Sequence, residues 1–314
     1  MSLAQDIKQK ALDLGFDLVG ITDARPIDAE QTKILTDWLK YGFAGQMSYM
    51  HRNLDKRTNP SKLLENAKSV IVVGLSYKPP GHKPPHTCVR TGRIASYAQY
   101  EDYHDFIKNR LRRLVDFIAA TAGPSERFKI CVDSAPAAER TLAARASLGF
   151  IGKNRMLINP TLGPQILLGE ITTTVKLQPD EPMNANCSGC NKCIEACPTG
   201  ALRPDGQFDA NKCISYLTIE YKGQIPSDSA KKIGDQLFGC DECILACPYQ
   251  KNAPICKNQQ FKFYADRADI DLQDILKLND EQFEIRFAGS VIKRLGLDRL
   301  QRNARICLAN VKII

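Results

Sequence analysis

Thiolates are soft ligands that favour iron–sulfur clusters, zinc and copper, and this chain of 314 residues carries twelve cysteines. Eight of them lie between residues 187 and 247, in two runs. The first, Cys187-x2-Cys190-x2-Cys193-x3-Cys197-Pro198, has the bacterial ferredoxin spacing, in which three cysteines hold one four-iron four-sulfur cluster and the fourth reaches a second. In the second run Cys213 stands alone, and Cys240-x2-Cys243-x3-Cys247-Pro248 follows after a long insertion. Pseudo-twofold pairing predicts Cys187, Cys190, Cys193 and Cys247 on one cluster, with Cys197, Cys213, Cys240 and Cys243 on the other. Zinc also takes four thiolates, but its sites usually repeat short paired spacings without this proline-terminated pattern. Cys88, Cys131, Cys256 and Cys307 have no partner spacing and read as small buried hydrophobes.

Two such clusters carry single electrons over short distances, so a further redox centre is needed, in a partner or in the rest of the chain. The elements before the cysteines must supply the scaffold. Ala4, Ile7, Ala11 and Leu14 recur at helical spacing up to Gly15, and Asp17 to Ile21 reads as a short strand. Ser69 to Tyr77 predicts a buried strand, followed by the proline-rich loop Lys78 to His86, which could border a site. A helix is expected over 101–120, then a strand from Phe128 to Val132 that runs into Asp133-Ser134-Ala135-Pro136. Pro136 suits a first helical turn, so a helix is expected from Ala137 to Leu148, ending at Gly149. The β-branched segment Gln165 to Leu177 predicts a long strand.

A polar, proline-bearing stretch from Gln178 marks a boundary. The expected organisation is α+β: a mixed α/β domain over 1–178, a bacterial ferredoxin-like two-cluster domain over 179–260, and a helical C-terminal segment over 261–314. The net charge of +8 favours an anionic partner but decides little alone. No apolar run reaches the roughly 18 residues of a membrane span, and the charged opening residues do not resemble a signal peptide. A soluble, cytoplasmic monomer with no membrane partner is expected.

The chain closely resembles the epoxyqueuosine reductases, cobalamin-dependent iron–sulfur enzymes of queuosine biosynthesis. The resemblance rests on Val132-Asp133-Ser134-Ala135-Pro136, Glu139-Arg140, Leu148-Gly149-Phe150-Ile151-Gly152-Lys153-Asn154 and both cysteine runs with their prolines. It implies a base-off cobalamin between the larger domain and two 4Fe-4S clusters that feed it electrons. The substrate implied is the epoxide of the modified base at position 34, in a transfer RNA anticodon stem-loop. An external electron donor such as a flavodoxin or ferredoxin is also implied.

Within that resemblance Asp133, at a strand-to-helix junction, is the candidate proton donor; read alone, it could simply cap the helix after Pro136. Lys153 and Asn154, in a glycine-bounded turn, are implied corrin contacts, although Lys153 also reads as a solvated charge. Arg57 is matched to the corrin periphery, and Tyr97, beside Ser96, to the neighbourhood of cobalt. Some relatives carry cysteine in that stretch; this chain has none between Cys88 and Cys131. Leu157, Leu168, Ser215 and Asp241 are further cobalamin contacts carried over by position, each equally readable as core or cap.

For RNA, the segment from Arg286 to Arg305 is basic and helical, and Arg299 and Arg302 could track phosphates or form an ordinary solvated helix face. Tyr221 and Lys222, inside the insertion, offer stacking and charge to a single-stranded loop. The last helix resembles the first of the helical repeats found in longer relatives. Two other readings compete: a reductive dehalogenase-like cobalamin enzyme, and an electron-transfer ferredoxin module without chemistry of its own.

Overall fold

The computed structural model describes residues 2–81 and 90–310. Cys88 and the proline-rich loop beyond Gly81 lie outside the described residues. In chain order the strands are β1 (Leu18–Asp23), β2 (Ser69–Ser76), β3 (Thr91–Ile94), β4 (Phe128–Cys131), β5 (Phe150–Ile151), β6 (Leu157–Ile158), β7 (Ile166–Thr173), β8 (Gln236–Phe238) and β9 (Asp269–Asp271).

The architecture is mixed α+β. Its main sheet has the order β1-β2-β7-β4, with every pair antiparallel. All eight residues of β2 and all eight of β7 are buried. An antiparallel sheet often leaves one face wet and then alternates apolar with polar residues. This one is covered on both faces, which is why Ser69 to Ser76 is almost uniformly apolar. Ile71, Val73 and Leu75 join one core with Ile7, Ala11, Ile107 and Leu111 from the helices Leu3–Asp13 and Tyr103–Ala122. Val70 and Val72 face the opposite way, into a core with Leu142, Ala143 and Ala146 from the end of the helix Glu139–Arg145. Strand parity thus separates two apolar layers.

A second sheet, β8-β3-β9, runs β3 parallel to β8 and antiparallel to β9. Its core joins Ile94 and Ala98 to Leu237, Phe238, Ile270 and Leu272, and to Leu300, Ala304 and Cys307 of the last helix, Leu297–Asn310. Among the described residues no helix is long and apolar enough to cross a membrane.

The helix expected from Ala137 to Leu148 is shorter, spanning Glu139–Arg145. Its start is delayed because Ser134 N–H closes onto the Val132 carbonyl (2.6 Å) and Ala137 N–H onto that of Ala135 (2.8 Å). Pro136 therefore lies in a turn, not in a first helical turn. The helix stops before Gly149: Ser147 turns left-handed (φ 65°), and Leu148 N–H donates to the Ala143 carbonyl, a Schellman-type end. The strand expected to reach Leu177 stops at Thr173, and Leu177 N–H donates instead to Ser69 Oγ (2.9 Å). Cys131 and Cys307 are buried as expected of small hydrophobes.

Close approach of β1 to the helix Glu139–Arg145 depends on Gly20. A Cβ there would lie 1.9 Å from the Ala146 carbonyl oxygen, a backbone atom that cannot rotate away. Gly20→Ala is expected to cost about 3 kcal/mol, at the upper end of ordinary overpacking penalties. Urea unfolding, compared with the unsubstituted protein, measures this.

Candidate active site

The two cysteine runs place short helices, Lys192–Glu195 and Glu242–Leu245, against each other. Their thiols fall into two neighbourhoods. Burial, followed by the charges of Cys187, Cys247 and Cys190, raises the pKa of Cys193, and burial with Cys187 and Cys190 raises that of Cys247. In the other neighbourhood burial raises Cys243, reinforced first by Cys213 and Cys240 and also by Cys197, while burial and Cys213 push Cys240 up to about 12. Thiols crowded this way lose protons readily only when a cation shares the site.

The two neighbourhoods differ in what they border. Cys197, Cys213, Cys240 and Cys243 border a cleft of about 1580 Å³, whereas Cys187, Cys190, Cys193 and Cys247 do not. That volume exceeds the roughly 300–1,000 Å³ of pockets for drug-sized ligands. Its walls include Tyr97, Tyr103, Ile166, Leu167 and Phe238, and the enclosed Nε of Arg57 has no hydrogen-bond partner among the described residues. A large, partly apolar group with polar edges fits such a lining.

Asp133 lines the same cleft as the four thiols. It is a non-glycine residue at φ 53°, at the centre of the tight three-residue turn closed by Ser134 N–H on Val132. A three-residue turn with positive φ at its centre is rare and strained. The cap reading of Asp133 fails here: the helix begins at Glu139 behind Ala138, with no side-chain cap, and Asp133 instead donates its own N–H to Glu139 Oε1 (2.5 Å). The Asp133 side chain is 58% exposed and lines the cleft.

Asp133 Oδ2 lies 3.2 Å from His104 Nε2, and His104 Nδ1 lies 2.6 Å from Asp102 Oδ1. Arg294 completes the group, with Nη1 3.1 Å from His104 Nε2 and Nη2 donating to Asp102 Oδ2 at 3.1 Å. Burial alone would lower the His104 pKa, but the hydrogen bonds and charges of Asp102 and Asp133 outweigh it and the net shift is upward. Correspondingly, the hydrogen bond from His104 is the largest influence on Asp133 and holds its carboxyl below the usual range. The Nε2 nitrogen has two competing neighbours. As N–H it donates to Asp133; as a lone pair it accepts from Arg294.

Of the other residues singled out from the sequence, Arg57, Tyr97, Asn154, Ser215, Lys222, Asp241 and Arg299 also line the cleft. Asp241 is buried and accepts the Ser96 N–H (2.7 Å). Asn154 bridges two segments, accepting from Met156 N–H (3.1 Å) and donating to the Cys243 carbonyl (3.4 Å). Lys153 sits elsewhere, at the outer thiols, with its N–H 3.4 Å from Cys187 Sγ and its ammonium on Asn191 (2.7 Å). Leu157 and Leu168 are packed in the core beneath the sheet, and their neighbours Met156 and Leu167 line the cleft in their place.

The arginines expected to track phosphates are committed internally. Arg302 donates to the carbonyls of Tyr221 (2.8 Å), Gly223 (2.7 Å) and Leu217 (3.0 Å), and Arg299 to those of Leu295 (2.8 Å) and Ile219 (2.9 Å). They tie the last helix to the insertion. Tyr221 packs near Tyr216, while Lys222 is exposed at the cleft. Sequence reasoning missed His104, Arg294 and Glu170. For Glu170 a signal existed, a single acid in an otherwise uncharged strand.

The profile described as "Epoxyqueuosine reductase QueG, DUF1730" matches residues 57–134, and the 4Fe-4S double cluster binding domain matches residues 186–250. The epoxyqueuosine reductase of Vibrio cholerae is 35% identical over 311 residues, 98% of this chain and 83% of that protein. This chain belongs to the epoxyqueuosine reductase family. Among solved structures, an epoxyqueuosine reductase with an epoxyqueuosine-modified tyrosine tRNA stem loop superposes with a TM-score of 0.91 at 31% identity, covering 98% of this chain and 81% of that one. A Bacillus subtilis epoxyqueuosine reductase, whose catalytic aspartate loop is swung out of the active site, gives 0.91 at 30% identity, covering 98% and 82%. The double-cluster match makes this chain an iron–sulfur protein of that family.

The charge assignment around His104 has a direct test. A histidine with a raised folded pKa adds stability that is complete below its ordinary value, near 6.5, and is lost as pH rises through the folded value. The stability difference between the unsubstituted protein and His104→Asn is therefore expected to shrink above about pH 6.5, read by urea unfolding across pH. A difference that grows with pH would reverse the assignment.

Proposed function

We propose that this protein reduces epoxyqueuosine at position 34 of transfer RNA to queuosine, with electrons passing through two 4Fe-4S clusters to a cobalamin in the cleft. The observation that carries this reading is one cleft lined both by four thiols and by the carboxylate of a strained, left-handed Asp133. In this reading Cys187, Cys190, Cys193 and Cys247 hold the outer cluster, and Cys197, Cys213, Cys240 and Cys243 the inner one. An external donor such as a flavodoxin or ferredoxin would supply electrons at the outer set, because the inner set borders the cleft. The functional division is a catalytic portion over 1–178, a cluster portion over 179–260 and a helical segment over 261–314, acting as a monomer in the cytoplasm.

The lining fits a corrinoid in size, in its aromatic and aliphatic walls, and in the unpartnered Arg57 Nε available to a peripheral amide or phosphate. Tyr97, Asn154, Ser215 and Asp241 are the further residues we assign to holding it. Bound cobalamin supplies a low-valent metal able to deliver two electrons to an epoxide carbon. The net change breaks both carbon–oxygen bonds, forms a carbon–carbon double bond and releases the oxygen as water, consuming two electrons and two protons. Asp133 delivers the proton to the departing oxygen. Because His104 holds Asp133 ionised at rest, the proton originates at His104 Nε2 and crosses the 3.2 Å contact, with Arg294 taking up the lone pair left behind.

Asp133→Ala is expected to lower turnover by about 10²–10⁴-fold, the usual worth of a positioned acid. Iron, sulfide and corrinoid, quantified in the anaerobically reconstituted protein, should remain at wild-type stoichiometry. Turnover retained at the wild-type rate would remove Asp133 from proton delivery.

We assign RNA contact to Lys222 and stacking to Tyr221, with Arg299 and Arg302 holding the insertion in place. Lys222→Gln is expected to weaken binding of the modified anticodon stem-loop and to flatten the plot of log affinity against log salt by about 0.7, one single-strand phosphate contact. An unchanged slope would take Lys222 out of the interface.

A further inference from the structure

Beneath the Asp133 turn lies a pair of carboxyl groups that the proton path above does not use. Glu170 is 1% exposed, on the central strand β7, and no donor among the described residues reaches either of its oxygens. An ionised carboxylate so enclosed would be very costly, so Glu170 is held protonated. Burial is the first cause of its raised pKa and Glu139 the second. Strand parity explains the meeting: Glu170 pairs in register with Val72 and Cys131, on the sheet face covered by the helix that Glu139 opens.

Glu139 has two different neighbours. Toward the core is the neutral Glu170, whose hydroxyl can donate to it; toward the cleft is the backbone N–H of Asp133, which donates to Oε1 at 2.5 Å. An N–H bound to a carboxylate is roughly twice as strong as one bound to a neutral acceptor. That bond acts on the one backbone unit whose left-handed φ has to be held against strain.

We propose that Glu139 is the positioning residue for the proton donor, its carboxyl group latching the Asp133 turn into the cleft with the Glu170 hydroxyl as its second partner. This rests on the proposed function for its purpose, though not for its geometry. The groups facing Glu139 are Asp133, Arg140 and Glu170, with Cys131, Arg57 and Tyr103 also feeling its charge. Burial first, then the charge of Asp133, push the Glu139 carboxyl up to about 7. The latch therefore weakens as the pH falls through neutrality.

The test is hydrogen exchange of the Asp133 amide in the reconstituted holoenzyme, expressed as a protection factor so that the intrinsic pH trend cancels. Unsubstituted protein should lose protection as pH falls through about 7. Glu139→Ala should exchange about tenfold faster above pH 7, the loss of one charge-assisted bond, with no pH step, so that the gap closes at lower pH, and with turnover reduced in kcat and KM unchanged. Glu139→Gln, whose amide oxygen still accepts, should show intermediate protection with no pH step. Glu170→Gln can still donate and should leave the step in place, while Glu170→Leu cannot and should move it to higher pH. Equal protection above pH 7 in Glu139→Ala and the unsubstituted protein, or a step that survives in Glu139→Gln, overturns the latch. If the chain instead fails to reduce epoxyqueuosine, exchange still reports on the latch; if the latch fails, turnover by the unsubstituted protein still stands.

Discussion

The antiparallel register of β7 between β2 and β4 is the constraint from which the site follows. Each residue of β7 must point to one sheet face or the other, and both faces are buried. Ile171 enters the core beneath the long helix Tyr103–Ala122, and Gly169 lets that helix approach, since a Cβ there would meet Ile107 Cγ2 at 2.6 Å. Glu170 is then forced to the opposite face. The same register pairs Cys131 with Glu170, so β4 ends just where the chain has to turn over a buried acid. Asp133 adopts its left-handed conformation at that turn, supported from below by Glu139 and flanked by His104.

Electrostatics in the cleft is organised by enclosure more than by net charge. The chain's excess of basic residues is dispersed, and Arg299 and Arg302 spend theirs on backbone carbonyls. What matters locally is that Asp102, Asp133, Glu139 and Glu170 converge near a single histidine and Arg294, with burial opposing every ionisation. Such a group cannot all be charged. Protons are shared out by hydrogen bonds: Asp133 and Asp102 stay anionic because His104 donates to them, and Glu170 stays neutral because nothing donates to it.

Much of this was legible in the sequence, for identifiable reasons. Metal ligation imposes short, fixed spacings, so the cysteine runs spoke directly. β2 was readable because a strand buried on both faces is apolar throughout. Asp133 was placed at a strand end correctly, but its turn was not, because neither left-handed φ nor the Ser134 to Val132 closure has a residue-type signature when glycine is absent. His104 and Arg294 stand 190 positions apart and meet only through folding. Leu157 and Leu168 show the opposite limit: each packs into the core while its neighbour, Met156 or Leu167, lines the cleft, a one-residue difference that apolar character does not mark.

The long insertion that separates Cys213 from Cys240 explains why only one thiol set meets the cleft. In an uninterrupted motif the two halves would be equivalent, each covering its own cysteines. Here the inserted chain forms the helix Ile214–Ile219, whose Ile214, Tyr216 and Leu217 enter the second core, and then β8, which pairs with β3. β3 leads directly into Ala95 and Tyr97 on the cleft wall, and the N–H of Ser96 between them donates to Asp241, the residue after Cys240. The insertion thereby ties the inner thiols, through the three-stranded sheet, to the segment that carries Tyr97 on the cleft wall. Breaking the symmetry of the cysteine motif is what gives the pair a direction, with one set left at the far side and the other set against the cleft.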